Sequence, residues 1–293
     1  MERNSIFYRI RRKGQVLANK VLPDELICKI YSRILLHKRV NLKQPKTFNE
    51  KIQWMKLHYY PNNKKIIDGA DKYKVRDYIK SKGLEERLVP LIGDWNDTKE
   101  IDWEKLPNKF VIKCNHGCAY NILCADKSKL DIKNTIKKLN KWMKEDFGTY
   151  NIEKHYSKIH PHIICEKYLG EHIIDYKFFC FNGEPKFIYI SSDLANDRQA
   201  KIGFYNIDGT KMNLARDDYE TMLIEKIPDF FENMKKDAKI LCEDFPFVRV
   251  DFFVANGKYY FAELTFTPSG GMMPFNPDHY DLDWGNLIKL PQI

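Results

Sequence analysis

Four residues in the stretch RVDFFVANGKYYFAELTFTPSGG (249–271) have types that do chemistry, where a sheet normally puts apolar side chains: Arg249, Asp251, Glu263 and Thr265. Two runs rich in Val, Phe and Tyr flank Asn256-Gly257, a strong local hairpin signal. Loop length decides which side chains share a face. A two-residue loop would set Asp251 and Glu263 on opposite faces, whereas a three-residue loop with Gly257 in the left-handed conformation sets them on the same one. The three-residue loop sorts the residues better. It gathers Val248, Val250, Phe252, Val254, Tyr260, Ala262, Leu264 and Phe266 on a core face, and Arg249, Asp251, Phe253, Tyr259, Phe261, Glu263 and Thr265 on the other. The plain alternative is an Arg249–Glu263 ion pair on a solvated face, worth about 0.2–1 kcal/mol. Two carboxylates and an arginine among aromatics suit a divalent cation better, because a hard cation such as Mg²⁺ takes carboxylate oxygens and leaves its other positions to substrate phosphates.

Phosphate-binding candidates lie upstream. In KFVIKCNHGCAYNILCADK, alternation puts Val111, Lys113 and Asn115 on one strand face, ahead of the loop HGCAYN. A lysine beside such a loop suits a phosphate clamp, with charge from the side chain and N–H donors from the backbone. A lysine snorkelling from an edge strand would leave the same trace. In IICEKYLGEHIIDYKFF, an apolar strand runs into a short connection whose backbone edge could read a purine, and Asp175 and Lys177 then share a strand face. In GADKYKVRDYI, Lys72 and Arg76 stand four apart on a helix, most simply on an exposed face. The turn TFTPSGG, with Ser269 and Gly270, lets a ligand carboxylate approach backbone N–H groups.

These pieces need a scaffold of hairpins and amphipathic helices. Apolar residues at three and four spacing predict helices in QVLANKVL, ELICKIYSRILL and TFNEKIQWMKLHYY, and one helix through IIDGADKYKVRDYIKSKG that stops at Gly83. Two more follow. DIKNTIKKLNKWMKEDFG carries Ile136, Leu139 and Met143 on one side; PDFFENMKKDAKILCEDF is packed by Phe231, Met234, Ala238 and Leu241. Strands are expected in RLVPLIG, KFVIKCN, NILCADK, HIICEKYL, IDYKFFCFNGEPKFIYISSD and KIGFYNIDGTKM. They cluster in hairpins instead of alternating singly with helices, which predicts an α+β fold.

The 293 residues carry a net charge of +9, unevenly distributed. Residues 1–56 hold fourteen Lys or Arg and four Asp or Glu, so this segment alone contributes +10. Such a basic, partly amphipathic segment suits an anionic polymer or the inner membrane surface, or is simply a solvated face. Nucleic acid is not expected, because no zinc-finger spacing, RRM signature or recognition-helix pattern is present. No apolar run is long enough to span a bilayer, and the basic start MERNSIFYRIRRKGQ lacks the apolar region of a secretory signal. Seven cysteines, several in apolar strand-like runs, read as buried thiols of a cytoplasmic protein.

The order of the pieces resembles the ATP-grasp superfamily: a lysine on an early helix, a lysine before a small-residue loop, an EKYL hinge, then R-x-D followed by E-x-T and a P-x-G turn. FNEKIQWMKL, ADKYKVRDYI, FVIKCNHG, DYKFFCFNGEPKFI and FPFVRVDFF…FAELTFTPSGG…PFNP are more closely similar to the TupA-like ATP-grasp family, named for teichuronopeptide synthesis in bacteria, over residues 45–291.

The resemblance implies an ATP-grasp fold of two α+β subdomains clasping ATP, over residues 71–162 and 163–293, preceded by a basic helical region at 1–70. It implies that Lys72 and Lys113 contact ATP phosphates, that Glu166, Lys167 and Leu169 line an adenine pocket, and that Asp175 lies near the ribose with Lys177 beside it. Asp251, Glu263 and Thr265 would take Mg²⁺, and Arg249 would steady the transferring phosphoryl group. Thr265 stands where most ATP-grasp ligases have a metal-ligating Asn, and HGCAYN holds one glycine where the family loop is richer. The implied activity is a carboxylate-amine ligase of cell-surface polysaccharide synthesis, acting on a small-molecule or glycan carboxylate, with Asp193, Arg198, Lys201, Ser269 and Gly270 facing that substrate.

A nucleotide-sugar glycosyltransferase is the competing reading, carried by Asp281-Leu282-Asp283; a non-catalytic glycan binder rests on aromatic content alone. Zinc at His155, His160, His162, Cys114 and Cys118 lacks a second pair to complete four ligands, so loop histidines and buried thiols are expected there.

Overall fold

The computed structural model describes residues 6–192, 200–216, 219–224 and 227–292, apart from the side chains of 6–9 and 11. Two sheets carry the chain. The first is antiparallel, in the order β1 (Leu91–Trp95), β4 (Ile163–Lys167), β2 (Phe110–Cys114), β3 (Asn121–Cys124), and is covered by α6 (Ile132–Trp142). The second runs β10 (Lys258–Thr265), β9 (Phe247–Ala255), β5 (Ile174–Phe181), β6 (Glu184–Ser192), β7 (Lys201–Asn206), β8 (Glu220–Thr221), antiparallel except for the last pair. β4 belongs to the first sheet by its pairing with β1 and β2, so the sequence boundary drawn at 162/163 falls one strand too early.

The larger core lies under the second sheet. Phe178, Val250 and Phe252 meet α7 (Phe231–Cys242) there, whose Phe231, Met234, Ala238 and Leu241 are all buried as their spacing predicts. On the other face, α3 (Phe48–His58) and α8 (His279–Leu287) insert Phe48 and Trp284 among Phe179, Phe181 and Phe247. α3 starts at a capping box, in which Thr47 Oγ1 accepts the Glu50 N–H and Glu50 accepts the Thr47 N–H, satisfying two orphan donors.

Ahead of these elements, α1 (Ile6–Val21) and α2 (Asp24–Leu35) pack on the segment 149–154: Asn19 donates to the Thr149 carbonyl, and Ile27 and Cys28 bury against Ile152. No helix among the described residues is long and apolar enough to cross a membrane. The cysteines form no disulfide, and six are buried; Cys118 is exposed, against the expectation of seven buried thiols.

Two local predictions are corrected. The expected single helix over residues 66–83 is two, α4 (Lys64–Ala70) and α5 (Val75–Ser81), with Gly83 closing the second at φ 74°. Asp71 causes the break: its Oδ1 accepts the N–H groups of Tyr73 (2.8 Å) and Lys74 (3.2 Å), diverting them from the helical ladder. Lys72 therefore projects from a turn, not a helix face.

The second correction concerns the hairpin. Ala255 pairs with Lys258, so the loop is the two residues Asn256-Gly257, both at positive φ, as a primed turn requires. Near the tip, Tyr259 and Phe261 face the core with Phe252, opposite to their predicted side. A bulge at Ala262 then inserts one residue and reverses the alternation, so that Glu263 pairs with Asp251 and Thr265 with Arg249. Asp251 and Glu263 share a face as expected, but the bulge puts them there and not the loop.

Candidate functional site

Strand register builds one row of charge across three strands. Lys177 on β5 pairs with Asp251 on β9, which pairs with Glu263 on β10; the next row is Phe179, Arg249 and Thr265. Asp251 is 1% exposed and fully engaged. Arg249 donates to both its oxygens, Nε to Oδ1 at 2.7 Å and Nη2 to Oδ2 at 2.6 Å, and Lys177 Nζ lies 3.3 Å from Oδ2. Lys177 also holds Asp175 Oδ1 at 2.7 Å. Arg249 reaches on to Thr265 Oγ1 at 3.1 Å, and the Thr265 hydroxyl donates to Glu263 Oε1 at 2.9 Å.

Glu263 is the carboxylate of the row that keeps an open side, with 35% of its side chain accessible. Burial opposes its ionisation, but Lys72, Arg249 and Lys177 together with the Thr265 hydroxyl outweigh that and hold its pKa down at about 2. Burial likewise opposes charge on Lys177 and Arg249, and their acidic neighbours overcome it, so both stay protonated. Asp175 moves the other way, raised by burial against the pull of Lys177.

The first sheet supplies the opposite wall. Lys72, in the α4–α5 turn, donates from Nζ to the Gly117 carbonyl at 2.9 Å and lies 3.6 Å from Glu263 Oε2, so it touches the loop HGCAYN and the charged row at once. Asn115 Nδ2 fixes that turn through Asp71 Oδ1 at 2.8 Å. Lys113 on β2 contacts Glu166 Oε2 at 2.6 Å, and Arg76 holds the other oxygen at 3.2 Å. A cleft of about 150 Å³ opens between the walls, lined by Lys72, Lys113, Asp175, Lys177, Asp251 and Glu263 among others.

The sequence candidates thus divide. Lys72, Lys113, Asp175, Lys177, Asp251 and Glu263 converge on the cleft, with Arg249 and Thr265 braced behind them. Glu166 is buried in its pairs with Lys113 and Arg76, which corrects the reading of Lys72 and Arg76 as an exposed helix face. Lys167 is exposed, and its N–H donates to the Pro90 carbonyl. Leu169 packs with Phe253, which lines the cleft, and its carbonyl accepts from Asn256 at 2.9 Å. Lys201 stands apart at the far strands, 3.3 Å from Glu220, while Asp193 and Arg198 lie outside the described residues.

Ser269 and Gly270 form a turn after β10 with three successive positive φ values, 52°, 66° and 77° through Gly271. Its supports went unread in the sequence. Lys56, 0% exposed, donates to the carbonyls of Gly270 (2.9 Å) and Asn151 (2.7 Å), Gln53 donates to that of Gly271, and Glu153 accepts from Thr267. A lysine on a helix face at apolar spacing was the one available signal.

The competing motifs have other work. Asp281 is buried and accepts the Asn49 backbone N–H (2.9 Å) and side-chain amide (3.1 Å), whereas Asp283 pairs on the surface with His279. His155 packs against Tyr60 and Tyr156, His162 contacts Asp94 and Asn96, and among the described residues no three His, Cys, Asp or Glu form a metal-binding group.

Comparison with known proteins gives this arrangement a family. No curated protein matches the chain. Solved structures with a similar course include D-alanine–D-alanine ligase from Bacillus anthracis complexed with ATP (16% identity, TM-score 0.44, covering 69% of this chain and 57% of that one). N5-carboxyaminoimidazole synthetase from Staphylococcus aureus complexed with ADP (17%, 0.40, 70% and 46%) and L-amino acid ligase from Bacillus licheniformis (14%, 0.45, 78% and 52%) are also similar. The chain spans less than two thirds of the length of each. Among protein families, the one described as TupA-like ATPgrasp matches residues 50–289, which take in both sheets and every residue of the cleft. The chain belongs to the TupA-like ATP-grasp family.

Proposed function

We infer that the protein is an ATP-dependent carboxylate-amine ligase that uses Mg²⁺. The observation that carries the reading is Glu263: an ionised carboxylate open to a cleft, ringed by Lys72, Arg249 and Lys177, on the sheet face opposite Lys113. Family membership supports the same nucleotide chemistry.

The donor set fits a metal–triphosphate. Glu263 offers an accessible anionic oxygen, and Lys72, Lys113 and Lys177 offer cationic donors around it. Mg²⁺ suits few protein ligands because it keeps water and phosphate oxygens in its shell. Glu263 would hold it first, with Thr265 and Asp251 next in line. Asp251 accepts one contact on Oδ1, from Arg249, and two on Oδ2, from Arg249 and Lys177, so Oδ1 is the oxygen with a lone pair to offer. The bound metal would supply charge neutralisation at the phosphates.

No nucleophilic side chain is needed. A substrate carboxylate oxygen attacks the γ-phosphorus and the bond to the β–γ bridging oxygen breaks, giving an acyl phosphate and ADP. An amine then attacks the acyl carbon, phosphate leaves, and the amine loses a proton to form the amide. The chain's part is to align the reactants and neutralise charge. Lys113 and Arg249 serve that end; Lys113 is held by Glu166 and Lys72 by the Gly117 carbonyl beside a cleft of about 150 Å³, and entering phosphates would have to take both lysines from those partners. We place the acceptor carboxylate near the Ser269-Gly270 turn, which Lys56 holds; the Gly270 N–H is bonded to the Thr267 carbonyl at 2.8 Å, and neither residue lines the cleft.

We read the acceptor as a uronic acid or acidic glycan carboxylate and the donor amine as an amino acid, placing the protein in cell-surface polysaccharide synthesis. Incubation with Mg-ATP and uronic acids paired with amino acids tests this: ADP release that requires both partners supports it, and ADP release with a nucleotide-sugar acceptor lacking a carboxylate refutes it. Asp281, which binds Asn49, gives the glycosyltransferase reading no metal ligand in the cleft.

A further inference from the structure

Of the thirteen large apolar side chains exposed among the described residues, eight lie between residues 10 and 35. They are ordered. Ile10, Leu17 and Val21 recur at seven and four along α1, and Leu26, Ile30 and Ile34 at four along α2, so each helix carries one outward apolar stripe.

The stripes face away from the body of the protein. α1 docks through Gln15, bonded to Asn151, and through Asn19, bonded to Thr149; α2 docks through Ile27, Cys28 and Ser32, all about 1% exposed or less. The protein covers one face of each helix, on α1 with the Arg12 guanidinium 3.4 Å from the Tyr150 ring centroid, and the apolar stripes lie on another. Scattered exposed apolar residues need no explanation, but two ordered stripes on adjacent helices do.

The charge around the stripes selects what covers them. Residues 10–39 contain eight Lys or Arg and two acidic residues. Both acids are occupied within the protein, Glu25 by Lys29 at 2.6 Å and Asp24 by Lys154 at 3.4 Å. Lys13, Lys20, Arg33 and Arg39 are exposed alongside the apolar stripes. A second copy of this surface would bring like charge against like. A bilayer rich in anionic headgroups satisfies both features, taking the apolar stripes between its headgroups and the basic rim against its charge.

We propose that α1 and α2 form a docking surface for an anionic lipid bilayer, seating the protein on the membrane as a peripheral protein. The proposal does not depend on the ligase reading.

Sedimentation with vesicles tests it. The wild-type protein co-sediments with phosphatidylglycerol–phosphatidylcholine vesicles and much less with phosphatidylcholine alone, and about 1 M salt, where the Debye length is about 3 Å, weakens the binding. Leu17→Ser/Ile30→Ser, both at exposed positions away from the cleft, lowers partition by about tenfold or more without altering the thermal midpoint or ADP release. Lys13→Glu/Lys20→Glu lowers it on anionic vesicles only. The proposal fails if the wild type ignores anionic vesicles, or if the Leu17/Ile30 variant binds them equally well. It also fails if polyglutamate binds where vesicles do not, or if analytical ultracentrifugation without lipid shows a dimer that the Leu17/Ile30 variant abolishes.

Discussion

Lys72 Nζ lies 2.9 Å from the Gly117 carbonyl and 3.6 Å from Glu263 Oε2, so a single side chain joins the loop of one sheet to the charged row of the other. Replacing it tests the coupling. Lys72→Met removes a cation facing Glu263, and we expect the affinity for Mg-ATP, read by isothermal titration, to fall by about tenfold or more, with a change of a few degrees at most in the midpoint of the free protein.

Asp251 is the partner of two buried cations, and its loss removes the bidentate partner of Arg249 and leaves Lys177 with Asp175 alone. Asp251→Asn should destabilise the protein by about 3–5 kcal/mol in urea unfolding. Asp175→Asn should cost clearly less, because Lys177 keeps Asp251. Equal losses from the two variants would contradict the register described here.

The pKa of Glu263 is depressed to about 2 from an ordinary value of 4.5, so its contribution to folding is complete above the unfolded value and disappears as pH falls from about 4.5 towards 2. Asp244, held down to about 2 by hydrogen bonds from Lys65 and Lys82, behaves alike. The thermal midpoint of the wild type should therefore fall across that window. Asp244→Asn should flatten the slope, and a profile with unchanged slope would show that this carboxylate gains nothing on folding.

Lys56 is buried with its ammonium on the carbonyls of Gly270 and Asn151. Lys56→Met leaves both acceptors unsatisfied, a loss of about 1–3 kcal/mol each. We expect a lower midpoint and a raised KM for the acceptor, with the affinity for Mg-ATP retained.

Asp281→Asn preserves an oxygen acceptor for the Asn49 amides, so ADP release should stay within about twofold of the wild type and stability should drop by about 1 kcal/mol. Abolished ADP release with an intact fold would instead place Asp281 in the chemistry and contradict its assignment to Asn49.

The apolar faces of α7 and β9 were legible in the sequence because a strict period of 3.6 or 2 leaves one reading. So were the row's residues, since charge inside an apolar hairpin demands a reason. What escaped was local backbone chemistry. Asp71 breaks a periodic helix by accepting two N–H groups, and the Ala262 bulge reverses side-chain alternation midway along β10; neither disturbs the hydrophobic pattern that reveals elements. Pairings between distant segments, Arg76 with Glu166 and Lys56 with Gly270, exist only once the chain is folded.

ADP release from Mg-ATP by Glu263→Gln, measured beside its thermal midpoint, tests the central claim most directly. The substitution keeps shape and removes the charge that Lys72, Arg249 and Lys177 surround. The account predicts a loss of about 100-fold or more in turnover with the fold intact and a weakened Mg-ATP thermal shift. A variant that turns over at the wild-type rate would remove Glu263 from the chemistry and the ligase assignment with it.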